Sequence, residues 1–147
     1  MNKEEKVNLK ILEDFKKDVE GKWPPELIDK TVKEVTSLKT QNYGAVADIR
    51  SVVFHQSIDV KITDLDRVFN GSTEWGISTP GIGGSAGIVF ANDLDKLFSE
   101  TKNFWFAGNT TYLGIYFYSD DGSLLGHFQG AALSFVIGTG NGTGQWN

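Results

Sequence analysis

Thr111-Tyr112-Leu113-Gly114-Ile115-Tyr116-Phe117-Tyr118-Ser119-Asp120-Asp121-Gly122 is the stretch whose reading decides the fold. Leu113, Ile115 and Phe117 alternate with Tyr112, Tyr116 and Tyr118, the period of two that sends successive side chains to opposite faces of a strand. Ser119-Asp120-Asp121-Gly122 then supplies hairpin-turn chemistry into a second β-prone run, Ser123 to Ile137. The first set of side chains fills an interior. The tyrosines stand outside with wet hydroxyls, either as a partner-binding patch or as the seat of another part of the chain.

Working outward, the same punctuation continues on both sides. Ala45 to Phe54 is rich in β-branched residues, and Gln56 to Thr63 alternates Ile58, Val60 and Ile62 against polar residues. Asp64-Leu65-Asp66 and Asn70-Gly71-Ser72 read as turns around a short strand at Val68-Phe69. Trp75 to Ser78 and Ser85 to Phe90 flank Pro80 to Gly84, where glycine content predicts bulges or a bend. One helical pattern interrupts the strands, Asp93 to Ser99, capped by Asn92. Asn103 to Ala107 follows, and Gly138 to Trp146 alternates glycine with Thr139, Asn141, Thr143 and Gln145, leaving one strand face bare. About eight short strands with no alternating helices exclude a parallel sheet and leave a sandwich or a closed antiparallel barrel. The barrel is favoured, because closure removes exposed edges and glycine-rich strands permit tight coiling. Large apolar residues at Phe54, Trp75, Phe90, Leu113, Ile115 and Phe117 predict a filled interior.

Residues 1–40 obey a different rule. They hold nine Lys, nine Asp or Glu and a single Gly, whereas sixteen of the chain's glycines come later. Val7, Ile11, Phe15 and Val19 recur every four residues, predicting one amphipathic helix stopped at Gly21. Pro24-Pro25 open a second, with Ile28, Val32, Val35 and Leu38 on its apolar side. The pair is read as a segment docked on a barrel spanning 41–147, by Ile11, Phe15, Val19 and Val32, rather than as a membrane-surface anchor, since it lacks a Lys/Arg-rich polar face. Residues 1–20 show neither an apolar core nor a cleavage site of secretory type, which keeps a cytoplasmic location as the alternative to export.

Composition and motifs mostly exclude. A length of 147 residues suits one compact unit, read as a monomer, and a net charge of -5 disfavours nucleic acid as a partner. Cys is absent, so there is neither a disulfide framework nor a thiolate nucleophile. His55 and His127 stand alone without a serine elbow, a zinc-protease motif or a Walker lysine, so no catalytic residues are assigned. Gly81 to Gly87 superficially matches a dinucleotide loop but runs into the β-prone Ile88-Val89-Phe90 instead of a helix. Asp64, Asp66, Asn70 and Glu74 fail the calcium-loop spacing, and no metal or cofactor is expected. The sequons at Asn70, Asn109 and Asn141 read as turn chemistry.

The run Thr111 to Gly130, containing Leu125-Gly126-His127, and the closing Gly138 to Trp146 resemble the Rhodococcus virulence-associated protein (Vap) family. Ser51-Val52-Val53-Phe54, Pro80-Gly81 and Asn92-Asp93-Leu94-Asp95-Lys96-Leu97 fall in the family's order, so the resemblance spans about residues 43–146. It implies a secreted, closed eight-stranded antiparallel barrel of two Greek keys, with a filled interior and no enzymatic activity. The expected function is that of a non-enzymatic virulence-associated effector acting through its barrel surface on a host protein, a membrane or a competitor, with Tyr112, Tyr116 and Tyr118 as the contact patch. The alternative is a small-ligand carrier of lipocalin or streptavidin type.

Overall fold

The computed structural model describes residues 12–17, 19–37, 41–134 and 136–147. Helix α1 is helical over 12–17, and the chain turns at Gly21, whose φ of 76° is open to glycine without steric cost. Pro24 offers its carbonyl to the amides of Leu27 and Ile28 at 3.0 and 3.1 Å. Helix α2 (Pro25–Ser37) thus begins with a proline where a missing N–H leaves nothing unpaired. Of the expected helical stripes, Val7, Ile11, Leu38 and the side chain of Val35 lie outside the described residues.

From Gln41 the chain builds a wall of strands. Strands β1 (Gln41–Ser51), β2 (Gln56–Ile62), β3 (Arg67–Ser78) and β4 (Gly81–Ala91) precede helix α3 (Leu94–Glu100). Strands β5 (Thr101–Gly108), β6 (Tyr112–Ser119), β7 (Leu124–Ser134) and β8 (Gly138–Trp146) follow it. Their order is β1-β2-β3-β8-β5-β6-β7-β4, and β4 pairs back onto β1, closing an antiparallel barrel. Within this wall β4-β1-β2-β3 and β8-β5-β6-β7 each show three consecutive strands with the fourth returning beside the first, so the barrel is two Greek keys. The closed eight-stranded barrel, with helices in front of it, is the architecture read from the sequence.

Period-two alternation sends Ile58, Val60, Phe69, Phe104, Phe106, Ile115 and Phe117 into one core. Phe69 meets Phe117 edge-on with ring centres 4.9 Å apart, and Trp146 lies 5.6 Å from it. Helix α3 covers one end of the barrel. Asp93, one residue past the expected cap, accepts from the Lys96 amide at 3.2 Å, while Leu97 is fully buried and Phe98 packs on Trp146. Rings this large fit because β8 gives up side chains: a Cβ at Gly140 would stand 2.9 Å from Phe106, and one at Gly144 2.4 Å from Phe69. At Gly142 it would fall 1.9 Å from the Ser72 carbonyl oxygen.

Glycine used for space also overturns one reading. Asn70-Gly71-Ser72 is not a turn but the middle of β3, where a Cβ at Gly71 would stand 2.7 and 2.8 Å from the rings of Phe69 and Phe104. A bulge between Thr73 and Trp75 then reverses the facing of the strand, so Trp75 is 51% exposed instead of interior. Phe54 is likewise outside, 72% exposed in the β1–β2 turn, and Phe90 is buried against His127 rather than in the main core. Gly81 to Gly84 pair with β1 without interruption; the irregularity falls on the β7 side, between Gly84 and Ser85.

Candidate functional site

The outer face of β5, β6 and β7 is where the chain concentrates aromatic and polar groups. Leu113, Ile115 and Phe117 point inward as read, and Tyr112, Tyr116 and Tyr118 point outward in a row. Gly114 spaces that row: a Cβ there would stand 2.6 Å from the Tyr112 hydroxyl, and without one the hydroxyls of Tyr112 and Tyr116 approach to 3.3 Å. Beside them stand Trp105 and Ala107 of β5 and Leu124 of β7.

The N-terminal helices take up this face. Phe15 lies 4.8 Å from Tyr116 between ring centres, and Trp23 is wedged among Phe15, Trp105 and Tyr116 at 5.1, 4.9 and 5.5 Å. Phe15, Val19 and Trp23 are buried there, with Leu12, Leu27, Ile28 and Val32 packed around them. Directed bonds fix the pose. The Trp23 indole donates to Thr139 Oγ1 at 2.8 Å, and that hydroxyl donates onward to the Phe106 carbonyl at 2.7 Å. Thr31 and Tyr118 share a hydrogen bond of 2.7 Å, and Glu34 accepts from the Leu124 amide. Burial raises the Tyr118 phenol well above the usual tyrosine range, so it stays neutral. The structure therefore brings the three predicted tyrosines together, and covers Tyr116 and Tyr118 to 1% and 4% exposure.

His127 belongs to the same face. Its ring is sandwiched between Phe90 and Tyr116, with centres 5.0 and 5.9 Å away and planes nearly parallel. Gln129 Nε2 lies 3.0 Å from both His127 Nδ1 and the Tyr116 hydroxyl, so the neutral ring accepts at Nδ1. Burial holds His127 down at about 3, which keeps it uncharged at neutral pH. The two stacked rings and the Gln129 contact make it part of the packing of this face.

The remaining sequence candidates scatter. Gly81 to Gly87 are laddered into β4 between β1 and β7, leaving no loop to cradle a phosphate. Asp64 and Asp66 sit in the β2–β3 turn, Asn70 bonds to Asp59 at 2.7 Å, and Glu74 borders a groove beneath α2. Among the described residues no group of three His, Asp or Glu is placed to hold a metal ion. Sequence reasoning missed Trp23, which falls between the helices and outside their period, and Thr139, whose hydroxyl is its partner.

This arrangement defines a small closed Greek-key barrel with a side-chain core and a helical segment seated on its outer wall. The chain belongs to the Rhodococcus equi virulence-associated protein family, whose model matches residues 1–147 and so reaches beyond 43–146 into the helical segment. Among solved structures it is similar to the virulence-associated protein VapD from the intracellular pathogen Rhodococcus equi. That match has 29% identity and a TM-score of 0.70, over 74% of this chain and 98% of VapD. It is similar also to VapB of the same organism, at 35% identity and a TM-score of 0.68, over 74% of this chain and 98% of VapB. No curated protein matches the sequence.

Proposed function

We propose that this protein is a secreted, non-enzymatic virulence-associated effector that acts through the outer surface of its barrel on a host or competitor target. The observation that carries the reading is the packed core of a family barrel: its interior is given to Phe69, Phe104, Phe106 and Phe117, which puts recognition on the outside. A lipocalin-like carrier needs that volume for its ligand. Tyr112, Tyr116 and Tyr118 are the contact face in this reading, which requires the helices to leave the wall that they cover.

The test is a cell-intoxication or infection assay with purified protein, after circular dichroism has confirmed folding. A Tyr112→Ser, Tyr116→Ser, Tyr118→Ser triple variant loses the effect, while His127→Phe keeps it. The opposite pattern would place function at the histidine. Export is tested separately, by immunodetection in culture supernatant against a cytoplasmic marker; retention in the cell lysate would refute it.

A further inference from the structure

Four connections, the β1–β2 and β5–β6 hairpins and the β3–β4 and β7–β8 crossovers, gather at the end of the barrel opposite α3. The sequence through them, residues 51–56, 78–84, 108–112 and 132–138, contains no Asp, Glu, Lys or Arg. The other end is the reverse, with Asp64, Asp66, Asp93, Lys96, Asp120 and Asp121 in its turns and helix. A chain that is 22% charged has one end whose connections carry no Asp, Glu, Lys or Arg, the exposed His55 being their one basic side chain.

That end is also rich in exposed apolar side chains. Val52, Phe54, Ile82 and Leu133 are 73%, 72%, 69% and 77% exposed, and Ile77 and Ile137 join them at 50% and 37%. Adjacent turns are tied to one another: the Ser78 amide donates to the Val53 carbonyl at 2.9 Å and the Thr79 amide to the Ile137 carbonyl at 2.9 Å. Beneath them Gln56 is fully buried, donating to Ser78 Oγ and to the Val53 carbonyl at 2.9 Å each. This network fixes Val53 at φ 78°, a rare conformation for a β-branched residue, and holds Val52 and Phe54 in solvent. Trp75 stands two residues behind Ile77 on the outer wall, and Arg50 lies opposite Ile82 in the β1–β4 register. An indole thus flanks the tip on the outer wall and a cation stands level with Ile82 at its rim, a pairing of side chains suited to a lipid interface.

We infer that this end is a docking tip that inserts into the interface of a zwitterionic phospholipid bilayer. A bilayer accepts a protruding apolar tip without a complementary groove, and an uncharged tip loses no ion hydration on entry. The net charge of -5 turns the protein away from anionic lipid. No described helix is long and apolar enough to cross a membrane, so the contact is interfacial. The inference rests on the surface-acting reading above and gives it a partner.

Phosphatidylcholine vesicles test it with the full chain. Wild-type protein floats with them, and brominated acyl chains quench Trp75, since Trp23 and Trp146 are buried and Trp105 is half-buried against Trp23; a Trp75→Phe variant loses the quenching. Val52→Asp with Phe54→Asp weakens partitioning at least about tenfold, some 1.4 kcal/mol; Leu65→Asp at the charged end leaves it unchanged, with circular dichroism confirming both folds. Absence of wild-type flotation, equal flotation of the tip variant, or binding confined to phosphatidylserine vesicles overturns the inference. So does a wild-type dimer that the tip variant abolishes without any vesicle binding, which would make the occupant a second copy. The effector reading fails by a different result: wild-type protein that binds vesicles and leaves target cells unaffected.

Discussion

Lowering the pH from 7 to 5 costs the folded protein about 2 kcal/mol through one side chain, His127. In the unfolded chain it titrates near its ordinary 6.5, whereas in the fold burial between Phe90 and Tyr116 holds it at about 3. Between those values the unfolded state binds a proton that the native state refuses, so stability is full above about 6.5 and declines as the pH falls toward 3. The slope approaches about 1.4 kcal/mol per pH unit, which over the interval from 6.5 to 5 gives the stated loss. In a chain this size it appears as a fall in Tm of about 5–10 °C. Asp121, held at about 2 by hydrogen bonds from Ser119 and Ser123, titrates below that window and does not contribute to it. Thermal melts at half-unit steps from pH 7.5 to 4.5, on wild type and on His127→Phe, provide the assay. The wild-type Tm slopes downward below 6.5 and the variant's is much flatter. Parallel slopes would show that other groups set the acid response and would refute the assignment.

Three further outcomes follow from the packing. Gly142→Ala forces a Cβ to within 1.9 Å of the Ser72 carbonyl and 2.6 Å of Thr73 Cα, and should lower stability by at least about 2 kcal/mol; an unchanged urea midpoint would show that β8 has room there. Thr31→Val removes the partner of a buried phenol and should cost about 1–2 kcal/mol, with a double-mutant cycle against Tyr118→Phe recovering part of it; additive losses would mean that the bond contributes nothing. Deleting residues 1–40 exposes Trp105, Tyr116, Tyr118 and Leu124, so the remaining barrel folds but self-associates, as light scattering would record; a monodisperse barrel would indicate that the helices cover little.

The period-two run at Tyr112 to Tyr118 was legible because one backbone rule decides the facing of every residue in it. The same rule misplaced Trp75. Counting by twos from Phe69 puts Gly71, Thr73 and Trp75 inside, but the bulge at Thr73 inserts one residue and turns Trp75 out. A bulge leaves no composition signal of its own. Gly71 and Phe54 misled for related reasons: a glycine that makes space for rings looks like a glycine that makes a turn, and residue size does not state which end of a hairpin is covered. Phe15 and Val19 were legible as a docking face from their spacing. The tyrosine face could be read as two alternatives, a partner patch or a seat for the helices, because alternation specifies outward without saying what lies outside.

Strand β8, the last in the sequence, lies between β3 and β5 and joins the two Greek keys along that seam. During vectorial synthesis every other strand leaves the ribosome before it, with the edges of β3 and β5 still unpaired. Closure must then bring Phe69 to Trp146 and Ser78 to Gly138 across much of the chain, a contact pattern that folds slowly. The interval before closure is a kinetic window in which chaperones or a translocation channel compete with folding for an extended polypeptide. Once β8 is seated that contest is over, because the barrel has no edge left to grasp.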